Sequence, residues 1–273
     1  MRGSGVFAEG QHAVTSNVIV HGSPALLAEA VAARLLTRLV DAQAERGEAS
    51  VVLTGGRIAD AVHRAIRDSP ARDAVDWGRV DFWWGDERFL PAGDPERNET
   101  QARAALLSVL PVDQGRVHAM PASDGPDGDD PETAAARYAD ELAKAARPGH
   151  AAIPHFDVLM LGVGEDGHVA SLFPEHPAAH PDSYRDRTVI GVRGAPKPPP
   201  VRISLTPPVI NSAEEAWLIA AGSGKARAVG LALAGGGPVQ VPAAGVQGLQ
   251  ATRWLLDRDA AAEVPARFRS QLR

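Results

Sequence analysis

The sequence predicts an α/β fold: a doubly wound, mostly parallel Rossmann-like sheet with helices on both faces. Two observations carry this prediction. Apolar runs such as "VVL" and "VLML" alternate along the chain with longer helix-like segments, which is the strand and helix order of doubly wound domains. Several runs are apolar at consecutive positions, as expected for parallel strands that are covered on both faces.

The candidate elements follow one another over most of the chain. The first strand, "SNVIVHG", precedes a helix with Ser23 as N-cap, Pro24 at its first position and Gly47 at its end. The later strand candidates are "ASVVL", "VDFWWGDERF", "FDVLMLGVG", "TVIGV", "VRISL", "EAWLIAAG" and "TRWLLD". We therefore expect one α/β domain over 16–262 with a small additional strand and loop region, and tails over 1–15 and 263–273.

Composition excludes several classes of protein. The chain has 273 residues, a formal net charge of -6 and no long basic run, so we expect no nucleic-acid partner, since phosphate-backbone binding needs clustered Lys and Arg. It has no cysteine, which rules out disulfides and thiolate metal sites. No stretch approaches the ~20 apolar residues that span a bilayer, and the N-terminus lacks the apolar core of a signal peptide. We expect a cytoplasmic protein with no membrane partner.

Four glycine-containing loops follow predicted strands, where ligands bind in parallel α/β sheets. Paired glycines before a helix let backbone N–H groups approach an anion, and the helix N-terminus adds a favourable field. Arg57, Arg88 and Lys225 lie in these loops. The pattern predicts an anionic-ligand pocket that fits the phosphate of a small metabolite. The loops are Thr54–Arg57, Gly85–Arg88, Gly162–His168 and Gly222–Lys225.

The Gly162–Gly167 loop also matches the glycine spacing of a dinucleotide-binding fingerprint. Three features argue against that interpretation. The loop lies in the middle of the chain, Glu165 and Asp166 would repel a pyrophosphate, and Pro174 follows His168 too closely for a long helix. Metal binding is not expected either, because prolines interrupt the histidine pair with four-residue spacing, at 176 and 180.

"LGVGEDGHVASLFPEH", residues 161–176, resembles the signature of the 6-phosphogluconolactonase family. Further stretches agree with that family in order along nearly the whole chain: "VVLTGG", "WWGDERFLP" followed by "RN", "KPPPVRISLT", "GSGKA" and "WLLDRDAA". The resemblance implies a fold of the glucosamine-6-phosphate deaminase and ribose-5-phosphate isomerase type. Two positions depart from the pattern: Arg57 and Arg97 stand where the family usually has hydroxyl residues, so we expect a rearranged phosphate site.

The resemblance implies hydrolysis of 6-phospho-D-glucono-1,5-lactone to 6-phospho-D-gluconate in the oxidative pentose phosphate pathway. The partner is then a small sugar-phosphate lactone, and no metal or redox cofactor is expected. His168 is the implied general base and acid, Asp86 is the residue that orients or tunes the site, and Arg88 stabilises the oxyanion or holds the phosphate. We expect a monomer, with a homodimer as the alternative. The implied substrate-binding residues are Gly55, Gly56, Arg57, Asn98, Gly164, Asp166, Gly167, Lys197 and Arg202.

Two other functions remain as alternatives. Glucosamine-6-phosphate deaminases share the "GEDGH" core, but there the histidine is typically followed by Ile-Ala-Phe-Asn-Glu-Pro, whereas "VASLFP" follows His168 here. A sugar-phosphate sensor would carry a DNA-binding helix-turn-helix, for which the N-terminal ~20 residues are too short and insufficiently basic.

Overall fold

A computed structural model of the chain describes residues 16–146 and 153–269. Its strands are β1 Ser16–His21, β2 Ala49–Leu53, β3 Val80–Trp84, β4 Asp86–Arg88, β5 Val158–Gly162, β6 Val189–Val192, β7 Arg202–Leu205, β8 Glu215–Ala220 and β9 Ala251–Asp257. Its α-helices are α1 Pro24–Arg46, α2 Arg57–Asp68, α3 Asn98–Ala105, α4 Pro131–Lys144, α5 Pro207–Ile210, α6 Ala226–Leu233 and α7 Ala266–Arg269.

Six strands form the central sheet, in the order β1-β9-β8-β5-β2-β3. All five pairings in it are parallel. The inner strands are buried along most of their length, as the consecutive apolar positions predicted. The predicted fold class is confirmed. Parallel pairing also places the loops that follow β2, β5 and β8 at one edge of the sheet.

A second, antiparallel sheet of three strands has the order β4-β7-β6. It corresponds to the small additional region that the sequence predicted. The segment "VDFWWGDERF", expected to be a strand whose end includes the ligand loop Gly85–Arg88, is in fact two strands, because the chain changes sheet at Gly85 and residues 86–88 form β4. The Gly85 N–H donates to the carbonyl of Leu53 at 3.1 Å, and the Gly85 carbonyl accepts from Leu205 N at 2.9 Å. The glycine therefore joins the two sheets through its backbone.

Helix α1 begins and ends where the sequence predicted. The Ser23 side chain accepts a hydrogen bond from Leu26 N at 3.3 Å, with Pro24 at the first helical position. Gly47 adopts a left-handed conformation, φ 78°, and donates to the carbonyl of Gln43 at 2.8 Å. Because α1 follows the parallel strand β1, its N-terminus lies at the carboxyl-end edge of the sheet.

Helix α4 was not predicted from the sequence. The acidic segment 122–132 has the composition of a solvated loop, but Asp130 near its end caps α4 by accepting from the backbone N–H groups of Glu132 and Thr133. Tyr138, fully buried on this helix, accepts a hydrogen bond from Trp84 N and donates to the carbonyl of His118. The helix therefore packs against the end of β3.

The described part of the predicted C-terminal tail contacts the domain. Val264 is 1% exposed, Phe268 packs against the core, and Arg267 donates to the carbonyl of Leu233. The domain boundaries at 16 and 262 stay predictions, and the predicted N-terminal tail lies outside the described residues. Among the helices of residues 16–146 and 153–269, none has the length and apolarity to cross a membrane.

The stability of the fold should depend on the protonation of His63, which is 2% exposed on α2. Burial lowers its pKa to about 4 from 6.5. The unfolded chain binds this proton below about pH 6.5 and the native chain only below about pH 4, so native stability falls as the pH drops between those values. Between pH 7 and pH 4, the free energy of unfolding of the parent should therefore fall further than that of the His63→Leu variant, by up to about 3 kcal/mol.

Urea denaturation of both proteins at several pH values measures this difference. His180→Leu, at an exposed position, is the control for loss of an imidazole. A stability difference between His63→Leu and the parent that stays constant over this range would contradict the prediction.

Candidate active site

A cavity of about 680 Å³ opens at the carboxyl ends of β2, β5 and β8. The structure brings most of the predicted site residues to its wall. Asp166, Gly167 and Lys197 do not line it, although they belong to the segments that shape it. The predicted residues in the wall are Gly55, Gly56, Arg57, Asp86, Arg88, Asn98, Gly164, His168 and Arg202.

His168 lies at the cavity wall with its side chain 19% exposed. Its Nδ1 is 2.6 Å from Oδ1 of Asp166. An ionised carboxylate only accepts hydrogen bonds, so this contact places the imidazole proton on Nδ1 and leaves the Nε2 lone pair free to take a proton. The ring also packs on Phe173, with the ring centroids 4.5 Å apart. Two contacts therefore fix the orientation of the imidazole.

The glycines of this loop are required by the His168–Asp166 contact. A Cβ at position 164 would lie 2.0 Å from His168 Nδ1 and 2.4 Å from Asp166 Oδ1. Gly167 has a φ of 87°, a conformation that other residues rarely adopt. The Gly164 N–H donates to the His168 carbonyl at 2.9 Å, which closes the loop. Two glycines of the spacing that resembles a nucleotide fingerprint, Gly164 and Gly167, thus allow the loop to hold the imidazole.

The carboxyl of Asp166 remains ionised beside the imidazole. Burial acts to raise its pKa, but the hydrogen bond and charge of His168 and the charge of Lys197 outweigh burial, and the pKa lies well below its usual range. The Lys197 ammonium is 3.5 Å from the same Oδ1 atom that contacts His168. Lys197, predicted to bind substrate, therefore contacts the partner of the base in this structure.

The residues of "DER" alternate across β4, as side chains of a strand do. Asp86 and Arg88 line the cavity, whereas Glu87 between them is fully buried on the opposite side. The Glu87 carboxylate accepts from the backbone N–H groups of Arg88, Asn98 and Glu99 at 2.7–2.9 Å. Burial raises its pKa to about 7, against the charge of Arg97 and these backbone donors. Glu87 thus anchors the start of α3, while its neighbours face the ligand space.

Asp86 has three side-chain neighbours. Its Oδ1 accepts from Asn98 Nδ2 at 3.3 Å, and its Oδ2 accepts from Ser171 Oγ at 2.6 Å. The Nη1 atom of Arg202 is 3.9 Å from the same Oδ2. The Asn98 side chain lies against Gly55, where a Cβ would be 1.8 Å from its Oδ1. Ser171 was missed in the sequence because no motif assigned it a partner 85 residues away.

Arg202 is 5% exposed, with most of its donors used by its own loop. Its guanidinium donates to the carbonyls of Lys197, Pro198 and Pro199, each at 3.1 Å. It also lies over the ring of Phe173, 5.6 Å from the centroid, a distance at which a cation is attracted to an aromatic face. Phe173 therefore contacts both the imidazole of His168 and the guanidinium of Arg202.

A second group of cavity residues is positively charged. Arg57 is the exposed first residue of α2, whose N-cap Gly56 has no side chain to bond the helix N-terminus. Lys225 lines the cavity after β8. Burial lowers the pKa of Lys225, and the charges of Lys197 and Arg57 add to this against Glu165. Free backbone donors and two cations here form a site suited to an anion.

Other lining residues were not assigned from the sequence. Pro24 and Ala25 bring the N-terminus of α1 to the cavity, and Ala170 also lines it. The N-cap signal at Ser23 located this helix end but carried no sign that it faces a ligand site. Within the described ranges, no group of three or more His, Asp or Glu side chains is placed to hold a metal ion.

Comparison with known proteins assigns the family. Residues 22–254 match the family described as glucosamine-6-phosphate isomerases/6-phosphogluconolactonase. The chain belongs to this family. It is 62% identical over 252 residues to the 6-phosphogluconolactonase of Streptomyces coelicolor, covering 92% of this chain and 95% of that protein. It is 45% identical over 253 residues to that of Mycobacterium tuberculosis, covering 93% and 100%.

A solved structure gives the same result. The structure of 6-phosphogluconolactonase from Trypanosoma cruzi matches the fold with a TM-score of 0.74 at 25% sequence identity, covering 94% of this chain and 100% of that one. The family resemblance of the sequence is therefore confirmed.

The structure separates the two arginines that depart from the family pattern. Arg57 lines the cavity, whereas Arg97, which the sequence left open as a phosphate ligand, is 2% exposed and does not line it. Its guanidinium donates to the carbonyls of Leu90 at 3.1 Å and Met120 at 2.7 Å, and lies 3.8 Å from Glu87. In this structure Arg97 links the loop that contains Met120 to the end of β4 and supplies a positive charge beside the buried Glu87 carboxylate.

Replacing Arg97 should therefore destabilise the fold and leave ligand recognition nearly unchanged. We expect Arg97→Met to lower the free energy of unfolding by about 3 kcal/mol, because it leaves Glu87 without a cation and the carbonyls of Leu90 and Met120 without their donor. Urea denaturation measures this loss. A normal stability, or a large loss of affinity for sugar phosphates in the folded variant, would contradict it.

Proposed function

We propose that this protein hydrolyses 6-phospho-D-glucono-1,5-lactone to 6-phospho-D-gluconate, the second step of the oxidative pentose phosphate pathway. The observation that carries the proposal is the Asp166–His168 pair in the wall of a cavity that also presents Arg57 and Lys225. A base and an anion site in one cavity suit a phosphorylated substrate that water must attack. The relatives named 6-phosphogluconolactonase, at 62% and 45% identity, support the same reaction.

His168 acts first as a base and then as an acid. Its Nε2 takes a proton from the water that attacks C1 of the lactone, while Asp166 stabilises the resulting imidazolium through Nδ1–H. The tetrahedral intermediate then collapses, the bond from C1 to the ring oxygen breaks, and the imidazolium donates its proton to that oxygen. No electrons are transferred, so the reaction needs no redox cofactor.

The negative charge on the carbonyl oxygen needs a donor in the cavity. Arg88 is our candidate, because it lines the cavity and its guanidinium gives only one hydrogen bond among the described residues, to the Glu96 carbonyl. Asp86, beside it, accepts a sugar hydroxyl and orients the ring. Arg202 contributes positive charge near both, although its loop already uses most of its donors.

The phosphate binds at Arg57, Lys225 and the uncapped N-terminus of α2. Arginine presents several donors to a phosphate and a helix N-terminus favours negative charge. The half-buried ammonium of Lys225 also gains a counterion when phosphate binds. This arrangement gives Arg57 the part that a hydroxyl residue usually plays in the family and leaves Arg97 in the fold.

The direct test follows freshly prepared 6-phosphogluconolactone by NMR near neutral pH, with and without the protein. Loss of the 1,5-lactone faster than its spontaneous opening, with 6-phosphogluconate appearing, is the expected result. Folded protein that does not accelerate this loss would refute the proposal. Release of ammonia from glucosamine 6-phosphate would instead indicate the chemistry of the other branch of the family.

His168→Ala should lower kcat by about a hundred- to ten-thousandfold, the usual contribution of a general acid–base group. Asp166→Asn should lower kcat by at least about tenfold, because an amide donor facing Nδ1 favours the tautomer that cannot accept a proton at Nε2. His180→Ala, at an exposed histidine, is the control. Near-normal turnover by folded His168→Ala would exclude His168 as the base.

Lys225→Met and Arg57→Met should each raise KM by about ten- to a hundredfold, the worth of a hydrogen bond to a charged group, with a small change in kcat. The phosphate is bound equally in the ground and transition states, so removing one of its ligands weakens substrate binding and not the chemical step. Lys144→Met, exposed at the end of α4, is the matched control. The same variants should not affect opening of unphosphorylated glucono-1,5-lactone. An equal loss with both lactones would contradict a phosphate site here.

A further inference from the structure

Ser171 is a fully buried serine, three residues beyond His168 in the chain. The backbone turns sharply between them: Ala170 has a φ of 48°, which non-glycine residues rarely adopt. Leu172 N donates to the carbonyl of Val169 at 2.9 Å and closes the turn. The turn sends the Ser171 side chain away from the His168 loop and towards the small sheet.

Ser171 reaches that sheet at one register pair of β4 and β7. Asp86 and Ser204 lie opposite each other there. The Ser171 N–H donates to Ser204 Oγ at 3.3 Å, and Ser204 Oγ in turn donates to the Leu205 carbonyl at 3.0 Å. With its backbone held by Ser204, Ser171 gives its single hydroxyl proton to Asp86 Oδ2 at 2.6 Å.

This hydrogen bond opposes a competing interaction. The same Oδ2 of Asp86 lies 3.9 Å from Arg202 Nη1, a charge pair that is 6% and 9% exposed. Attraction between such charges is strong where water is scarce. Without the hydroxyl of Ser171, the carboxylate would be free to rotate onto the guanidinium, and neither group could then bind a ligand. Asn98 contacts the other oxygen at 3.3 Å and cannot by itself prevent this rotation.

We propose that Ser171 is a positioning residue, which holds the Asp86 carboxylate towards the substrate and away from Arg202. The proposal rests on the proposed lactone hydrolysis, in which Asp86 orients the sugar ring. Ser171 also links two parts of the site. It lies three residues after His168 in the chain, and its hydroxyl holds the Asp86 carboxylate of the small sheet. Ser171 itself does not line the cavity, so it acts only through Asp86.

Kinetics of Ser171→Ala, Asp86→Asn and the double variant test this inference with 6-phosphogluconolactone. Ser171→Ala should lower kcat/KM by about tenfold or more, the worth of a buried hydrogen bond to a charged group. In the Asp86→Asn background the same change should cost less than about twofold, because the carboxylate it positions is gone. Thr206→Val removes another fully buried hydroxyl, one that donates to the Arg187 carbonyl, and should leave kcat/KM within about twofold. Equal losses from Ser171→Ala in both backgrounds would overturn the proposal.

A second measurement is independent of turnover. In protein labelled with 13C at aspartate carboxyls, the Asp86 signal, identified by its absence in Asp86→Asn, should shift in Ser171→Ala and stay in place in Thr206→Val. An unchanged signal in Ser171→Ala would refute the contact whatever the rates show. If the parent protein does not hydrolyse the lactone, the proposed function fails, and this spectrum alone still decides whether Ser171 holds Asp86.

Discussion

Two short strands, β4 with three residues and β7 with four, pair in an antiparallel register that puts Asp86 opposite Ser204 and Arg88 opposite Arg202. Residues opposite each other in such a pair point to the same face of the sheet. The pairing therefore collects side chains that lie more than 100 positions apart in the sequence onto one surface beside the His168 loop. A slip of one residue would send them to the other face and bring Glu87 to the cavity.

The small sheet is fixed to the central sheet by backbone contacts. Gly85 bonds to Leu53 at the end of β2 and to Leu205 at the end of β7. The position of the glycine loop after β2 relative to the "DER" residues after β3 is therefore fixed by the backbone and does not depend on side-chain rotamers. Groups that act together on a substrate need positions fixed to a fraction of an ångström, and hydrogen-bonded strands supply this better than mobile loops.

The fold and the outline of the site could be predicted because their signals are local. Consecutive apolar residues identified the parallel strands, and glycines after strands located the cavity edge. The alternation of β4 also follows from the sequence once a strand is assumed there, since Asp86 and Arg88 are two positions apart. Helix α4 was not predicted because the acidic, glycine-rich segment before it resembles a solvated loop, although Asp130 is a common N-cap residue.

Roles that depend on distant partners could not be predicted. Arg97 has the chemistry of a phosphate ligand, and only the carbonyls of Leu90 and Met120, supplied by loops without a distinctive sequence, show that its guanidinium is used within the fold. Ser171 is one polar residue in an apolar stretch, and its partner, Asp86, reaches it only through the pairing of β4 with β7. In both cases the residue type was known, whereas the contact that decides its role arises from tertiary structure.

The charges around the base also bear on how the product of the proposed reaction is bound. The lactone is uncharged at C1, but hydrolysis creates a carboxylate there, close to His168 and its partner. Asp166 remains ionised at neutral pH because its pKa lies well below the usual range, so the new carboxylate forms near an existing negative charge. Like charges in a partly buried cavity repel more strongly than in water. Asp166, the partner of His168, therefore weakens binding of the product carboxylate, whereas Arg88, our candidate donor to the C1 oxygen, attracts it, and Arg57 and Lys225 attract the phosphate of substrate and product alike.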